Sequence, residues 1–289
     1  MSELILEAVD LEYSYPDGTK ALRNVNLQVH KGEKLAILGS NGAGKSTLFM
    51  QFNGIFRPNS GTIKYQREDI SYKNKALIEL RKKVGIVFQD PDSQLFSASV
   101  WQDISFGPLN LELTEEVVMN RVEQAMSDTE TIDLKDKPTH MLSYGQKKRV
   151  SIAGVLAMEP EVIIFDEPTA WLDPRHAREF MELLEKLSQE GKTIIISTHD
   201  VDLAYSWSDR IAIMYSGEII ASGEPGEVFR RPDLIVRADL VLPWMLEMHS
   251  ELVQKGWLFP SAPLPKTRED LFRSIASKNE RKLSLFNGI

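Results

Sequence analysis

The sequence predicts an α/β fold in which helices cover a largely parallel sheet, interrupted by a helical insert and followed by a small C-terminal extension. Three observations carry this. A glycine-rich loop, Gly39-Ser40-Asn41-Gly42-Ala43-Gly44-Lys45-Ser46, stands between a strand pattern at 34–38 and a helix pattern at 46–52. Strand patterns at 161–165 and 193–197 flank a segment, 174–189, whose Phe180, Leu183, Leu184 and Leu187 repeat at helical spacing. A strand, a crossover helix and a strand build parallel sheet covered by helices. Between residues 91 and about 160 the strand signals stop, and helical spacing takes over at 114–126 and 147–157.

The remaining elements follow in order. Runs at 5–9 and 22–29 alternate as strands do, with Tyr15-Pro16-Asp17-Gly18 as turn chemistry between them. Asn53-Gly54 ends the helix after the loop, 61–65 reads as a strand, and 84–88, preceded by Arg81-Lys82-Lys83, reads as a strand buried on both faces. Thr114-Glu115-Glu116-Val117 opens the first insert helix. Runs at 211–215 and 218–222, joined at Ser216-Gly217, form a closing hairpin. From Arg230 onward the tail holds five of the 14 prolines and two of the five tryptophans, which marks a change of composition. Within it, the alternating charges of 268–282 read as a solvated helix rather than a lipid-binding patch.

Composition narrows the partners. A net charge of −8 argues against an even cationic coat for gripping nucleic acid, so no nucleic-acid partner is expected. The absence of cysteine excludes disulfides and thiolate metal sites. The acidic N-terminal stretch lacks the basic and apolar regions of a secretory signal, and no apolar run approaches the roughly 20 residues that span a bilayer. Any membrane contact is therefore expected through partners.

The loop at 39–46 has the chemistry of a phosphate cradle. Backbone N–H groups converge on phosphate only where side chains do not crowd them, which Gly39, Gly42 and Gly44 permit. Lys45 reaches the β and γ phosphates as a point charge, and the Ser46 hydroxyl ligates Mg²⁺. The alternative is a glycine turn before an unrelated helix. The apolar run 162–165 ends in Asp166-Glu167, acids that a buried parallel strand tolerates at its carboxyl end, where ligands of open α/β sheets bind. Asp166 is expected to hold Mg²⁺ through water, and Glu167 to orient or deprotonate the attacking water.

Here the sequence resembles the ATP-binding subunits of ABC transporters, from about residue 4 to 230. Leu142-Ser143-Tyr144-Gly145-Gln146 resembles the family's LSGGQ signature. Gln89 matches the Q-loop, Ala170-Trp171-Leu172-Asp173 the D-loop, and His199 the switch histidine. The resemblance implies a P-loop NTPase cassette with a mixed β core, a helical signature subdomain and a C-terminal extension: residues 1–230 as the ATP-binding domain, with the insert at about 91–160, and 231–289 as the extension. It implies ATP and Mg²⁺ as cofactors. ATP is assigned to Tyr15, which would stack on adenine, to Gly39, Ser40, Asn41, Gly42, Ala43, Gly44, Lys45, Ser46 and Thr47, and to Ser143, Gly145, Gln146 and Asp173. For Tyr15 the alternative is a half-buried tyrosine at a strand end. Mg²⁺ is assigned to Ser46, Gln89 and Asp166, and hydrolysis to Glu167, His199 and Gln89.

Ser143 and the Gly145 N–H are directed by the family pattern at nucleotide held by another subunit, a homodimer partner or a close paralogue. Two departures stand out: Tyr144 replaces a signature glycine, and Trp171 replaces a small D-loop residue. His30, His140, His176 and His249 match no motif and are expected at the surface. The segments Phe88-Gln89-Asp90-Pro91-Asp92-Ser93-Gln94-Leu95-Phe96-Ser97 and Ile152-Ala153-Gly154-Val155-Leu156-Ala157-Met158-Glu159-Pro160 resemble the energy-coupling-factor importers, most of all their cobalt transport ATP-binding subunits. That implies transmembrane transport subunits as partners and a peripheral place on the cytoplasmic face of the cell membrane. The extension is expected to form a second contact between ATPase subunits or to cap its own chain. Nickel, a vitamin, or a soluble ATPase of repair or translation are the alternatives. Repair ATPases carry long coiled-coil heptads, and translation factors usually two cassettes, neither of which this sequence shows.

Overall fold

The structure, a computed structural model, describes residues 3–111 and 113–286. Strands β1 (Leu4–Ser14) and β2 (Lys20–His30) lead into β3 (Lys34–Leu38) and helix α1 (Lys45–Phe52). Next come β4 (Ser60–Tyr65), β5 (Glu68–Asp69), α2 (Asn74–Lys83) and β6 (Val84–Val87). The insert supplies α3 (Val100–Leu109), α4 (Glu115–Asp128) and α5 (Tyr144–Leu156). The chain returns through β7 (Val162–Phe165), α6 (Pro174–Gln189), β8 (Thr193–Thr198) and α7 (Val201–Trp207) to the hairpin β9 (Arg210–Tyr215) and β10 (Glu218–Gly223). The tail holds α8 (Pro225–Phe229), α9 (Pro232–Arg237), α10 (Trp244–Gln254) and α11 (Arg268–Phe286).

Two sheets result. One is antiparallel, in the order β2-β1-β4-β5; the other runs β10-β9-β3-β8-β7-β6 and is parallel except for the β9–β10 hairpin. The central strands are buried on both faces, and period-2 alternation divides them between two cores. Ala36, Leu38, Ile163, Phe165, Ile194 and Ile196 face the core shared with α6, α7 and the tail. Leu35, Ile37, Val162, Ile164 and Ile195 face the core shared with the antiparallel sheet and α1. The insert has its own core, in which Val100 and Ile104 meet Val118, Val122, Val150 and Ala153.

The mixed β core, the P-loop helix, the crossover helix and the hairpin agree with the sequence reading. It gave no helix at α2, α3 or α7. Only Leu80 of α2 is buried, so that helix carries almost no apolar periodicity, and α3 has Gly107-Pro108 in its last turn. Helix α5 begins three residues earlier than its apolar pattern because Ser143 caps it. Tail helix α11 has the expected position, although the side chains of 278–282, like Met1 and Ser2 of the N-terminal reading, lie outside the described residues.

One expectation is overturned. His249 is buried, because Met245, Leu246 and His249 share the inward face of α10. Burial holds its pKa below the usual imidazole value, with a hydrogen bond to the Ala262 backbone opposing the shift. The folded state therefore favours neutral imidazole, and the unfolded chain takes up the proton first as pH falls below about 6.5. Stability contributed by His249 is complete above that pH and lost below it. The Tm advantage of wild type over His249→Gln is expected to shrink between pH 7.5 and pH 5.5 in thermal unfolding; an unchanged difference would refute the assignment.

Candidate nucleotide site

Strands β6, β7, β8 and β3 are parallel neighbours, so their carboxyl ends fall on one edge of the sheet. That edge presents Gln89 after β6, Asp166 and Glu167 after β7, His199 after β8 and the glycine loop after β3. A cleft of about 440 Å³ opens there, lined by Tyr15, the stretch from Asn41 to Thr47, Gln89, Asp166 and Glu167.

The glycines of the loop differ in what requires them. A Cβ on Gly39 would lie 2.3 Å from the Met214 carbonyl oxygen, and one on Gly44 would lie 2.6 Å from that of Ala21. These two are therefore demanded first by packing against β9 and β2, whereas Gly42 faces open space. Gly44, at φ 108°, caps α1 without a side chain, leaving the first N–H groups of the helix uncovered. Tyr15 stands in the turn after β1, and its hydroxyl is 2.8 Å from that of Thr47. Its ring lies edge-on to Tyr13 and Phe56, so it belongs both to the strand end and to the cleft wall.

Lys45 is buried, and its ammonium donates to the carbonyls of Gly39 at 2.7 Å and Ser40 at 3.2 Å. It lies 3.7 Å from Glu167 Oε1, a buried oxygen without a hydrogen-bond partner, while Glu167 Oε2 lies 3.0 Å from His199 Nδ1. His199 is otherwise exposed. Ser197, absent from the sequence reading as a functional residue, organises both acids. Its hydroxyl donates to Asp166 Oδ1 at 2.5 Å and accepts the Glu167 N–H at 2.8 Å. A hydroxyl in an otherwise isoleucine-rich buried strand was the available signal. Glu167 adopts a left-handed backbone, φ 46°, of the kind that costs about 1–3 kcal/mol and persists where surroundings enforce it.

The Gln89 segment is held by α5. The Gln89 carbonyl accepts from the Tyr144 hydroxyl at 3.1 Å and from Lys148 Nζ at 3.0 Å, and Lys147 Nζ donates to Asp92 at 2.5 Å. Gln94 accepts the Phe88 N–H and donates to the Ser151 carbonyl. Burial pushes the Lys148 pKa down to about 8, with Asp166, Glu167 and Asp90 opposing the shift.

Four other candidate residues do not join the cleft within one chain. Ser143 and Gln146 form a reciprocal capping box at the start of α5, and a Cβ on Gly145 would meet nothing within 4 Å. Asp173 caps α6, accepting the N–H groups of Arg175 and His176, and those bonds together with the His176 side chain hold its carboxyl below the usual range. Trp171 is 81% exposed, in left-handed backbone at φ 65°.

A glycine loop opening a helix, two acids at the end of β7 on the same sheet edge, and a cleft shaped by both define a P-loop nucleotide-binding cassette. The ABC transporter family model matches residues 22–170, and the chain belongs to that family. It is 47% identical over 283 residues to the energy-coupling factor transporter ATP-binding protein EcfA2 of Methanospirillum hungatei JF-1, covering 98% of this chain and 71% of the relative. Among solved structures it is similar to cbiO1 of Clostridium perfringens, part of the ABC transporter complex cbiONQ. The identity there is 50% and the TM-score 0.72, covering 86% of this chain and 99% of that one. It is also similar to the dimeric, post-hydrolysis ATP-binding cassette MJ0796 bound to ADP and Pi, at 27% identity and TM-score 0.70, covering 76% of this chain and 99% of that one. The chain is thus an ATP-hydrolysing cassette of the ABC class. Among the described residues, no helix is long and apolar enough to cross a membrane.

Proposed function

We propose that this chain energises an importer of the energy-coupling-factor type by hydrolysing Mg²⁺-bound ATP in a dimer, with cobalt ion as the cargo. The observation that carries the dimer is the division of the site. The loop of Gly39 to Thr47, Gln89, Asp166, Glu167 and His199 share one edge of the sheet, while Ser143, Gly145 and Gln146 stand outside the cleft at the exposed start of α5. A second subunit, a homodimer partner or a close paralogue, places its signature over this cleft, and Trp171 and Asp173 meet it beside that seam.

The cleft's donor set suits a triphosphate with its cation. Backbone amides of the loop and Lys45 would bind phosphate oxygens, while Ser46, Gln89 and Asp166 offer a hydroxyl, an amide oxygen and a carboxylate to Mg²⁺. The metal neutralises phosphate charge when bound. Glu167 Oε1, unpartnered, is the acceptor that orients the attacking water, and His199 steadies that carboxylate through Nδ1.

Beside the Gln89 segment lies a groove of about 210 Å³ lined by Asn53, Arg81, Gln94, Phe96, Asp103 and Phe106. Phe96 and Phe106 are exposed and packed edge-to-face at 4.8 Å. We assign this groove to the transmembrane subunits, through which the chain sits peripherally at the cytoplasmic face of the membrane. The extension buries Leu234, Ile235, Met245 and Leu271 in its own chain and exposes Val241, Trp257 and Phe272, which we assign to a second contact between ATPase subunits.

Cobalt rests on the resemblance of residues 88–97 and 152–160 to cobalt transport ATP-binding subunits. The test is radiolabelled cobalt uptake by vesicles carrying the co-purified membrane partners, with wild type, with Glu167→Gln and without this chain. Uptake that requires the wild-type chain and ATP supports the reading; preference for nickel or a vitamin over cobalt overturns the cargo.

A further inference from the structure

Lys148 is 1% exposed, making it one of the largest fully buried side chains, and no motif uses it. An ammonium removed from water is unfavourable unless hydrogen bonds compensate, so its acceptors show what it is held for. They are the carbonyls of Gln89, at 3.0 Å, and Glu167, at 3.4 Å. We propose that Lys148 is a positioning residue for ATP hydrolysis, tying the signature helix α5 to the Gln89 and Glu167 loops so that all three move as one body.

The geometry of Glu167 carries this. Its N–H is held by the Ser197 hydroxyl at 2.8 Å and its carbonyl by Lys148, so the peptide groups on both sides of its Cα are fixed. Its φ of 46° lies in the left-handed region that L-residues occupy sparsely and at a cost, so the two anchors hold a conformation with a preference against it. The two anchors come from different parts of the molecule, Ser197 from β8 and Lys148 from the insert. The Lys148 ammonium therefore gives the insert a direct polar tie to the backbone that carries the carboxylate. One turn earlier on α5, Tyr144 donates to the same Gln89 carbonyl, which gives that loop a second tie to the helix. The departure from glycine at Tyr144 thus acquires a physical role.

A lysine that merely filled a polar hole would give a different result from one that positions the site. Lys148→Met keeps the length of the side chain and removes the ammonium, so turnover measured per folded molecule separates the roles. In the full chain with MgATP, Lys148→Met is expected to lower kcat by about 10- to 100-fold, the effect of losing a charge-assisted restraint in the reacting state, while KM shifts by less than about threefold. Lys148→Arg, which keeps donors to both carbonyls, is expected to recover part of kcat. Tyr144→Phe, on the exposed side, is expected to lower kcat by a smaller factor. Its effect should be non-additive with Lys148→Met because both act on one carbonyl.

Wild-type kcat per folded molecule in Lys148→Met overturns the proposal, as does a loss that Lys148→Arg does not relieve at all. If Lys148→Met fails to fold, Lys148→Gln is judged by the same criteria, and additivity of Tyr144→Phe with Lys148→Gln counts against the shared tie. The proposal rests on Glu167 as the catalytic carboxylate, so Glu167→Gln is measured in parallel. An inactive Glu167→Gln beside a normal Lys148 variant removes only the role of Lys148, whereas an active Glu167→Gln removes the reading of the site itself.

Discussion

Glu167→Gln is expected to cut ATP turnover by about 10²- to 10⁴-fold while ATP still assembles a stable dimer. The substitution keeps shape and removes a single charge. What it removes is the base: Oε1, buried and without a hydrogen-bond partner, is a carboxylate oxygen able to take a proton from water, which an amide oxygen is not. The fold should tolerate the change, because Lys45 keeps its bonds to the Gly39 and Ser40 carbonyls and Ser197 still holds the backbone N–H. Replacing a buried carboxylate beside a polyphosphate also removes a repulsion, so ATP should bind at least as tightly. Steady-state hydrolysis and size-exclusion chromatography with and without ATP check both halves. A variant that hydrolyses at the wild-type rate overturns the role, and one that loses turnover without ATP-dependent dimerisation overturns the composite site.

The parallel half of this fold was legible because its strands are buried on both faces. Runs such as Val162 to Phe165 and Ile194 to Ile196 have nothing polar to blur them, and the acids Asp166 and Glu167 mark where the sheet edge begins. The loop at 39–46 was legible for a similar reason: its spacing is fixed by chemistry. Helices α2, α3 and α7 were not, since each buries only a few side chains and takes its support from neighbours remote in sequence. His249 misled because a single polar residue on an apolar helix face has no local signature of burial. Lys148 and Ser197 were missed for the complementary reason. Their importance lies in partners 59 and 31 residues away, which no local spacing reveals. The residues expected to touch ligand could be named one by one from the sequence, whereas those that hold them in register became visible chiefly through distances.

Lys45→Ala should produce the other large effect, and on two quantities at once. The ammonium is the loop's only point charge for phosphate, and a charge-assisted contact of this kind contributes about 1.5–3 kcal/mol, so nucleotide binding should weaken by about 10- to 150-fold. The same ammonium also stands 3.7 Å from the Glu167 carboxylate, with both side chains buried. Its removal leaves that carboxylate with His199 as its remaining close ion pair among the described residues, and a buried charge deprived of a partner costs about 1–3 kcal/mol. Lys45→Ala is therefore expected to lower Tm as well as affinity. Adding Glu167→Gln should restore much of the lost Tm, since the carboxylate that lost its ammonium is then gone, yet leave nucleotide binding weak. Thermal unfolding and equilibrium titration with a fluorescent ATP analogue across the single and double variants separate the two contributions. Recovery of affinity together with stability would show that Lys45 serves the loop's fold rather than the phosphate, and an unchanged Tm in Lys45→Ala would show that the pair contributes nothing to stability.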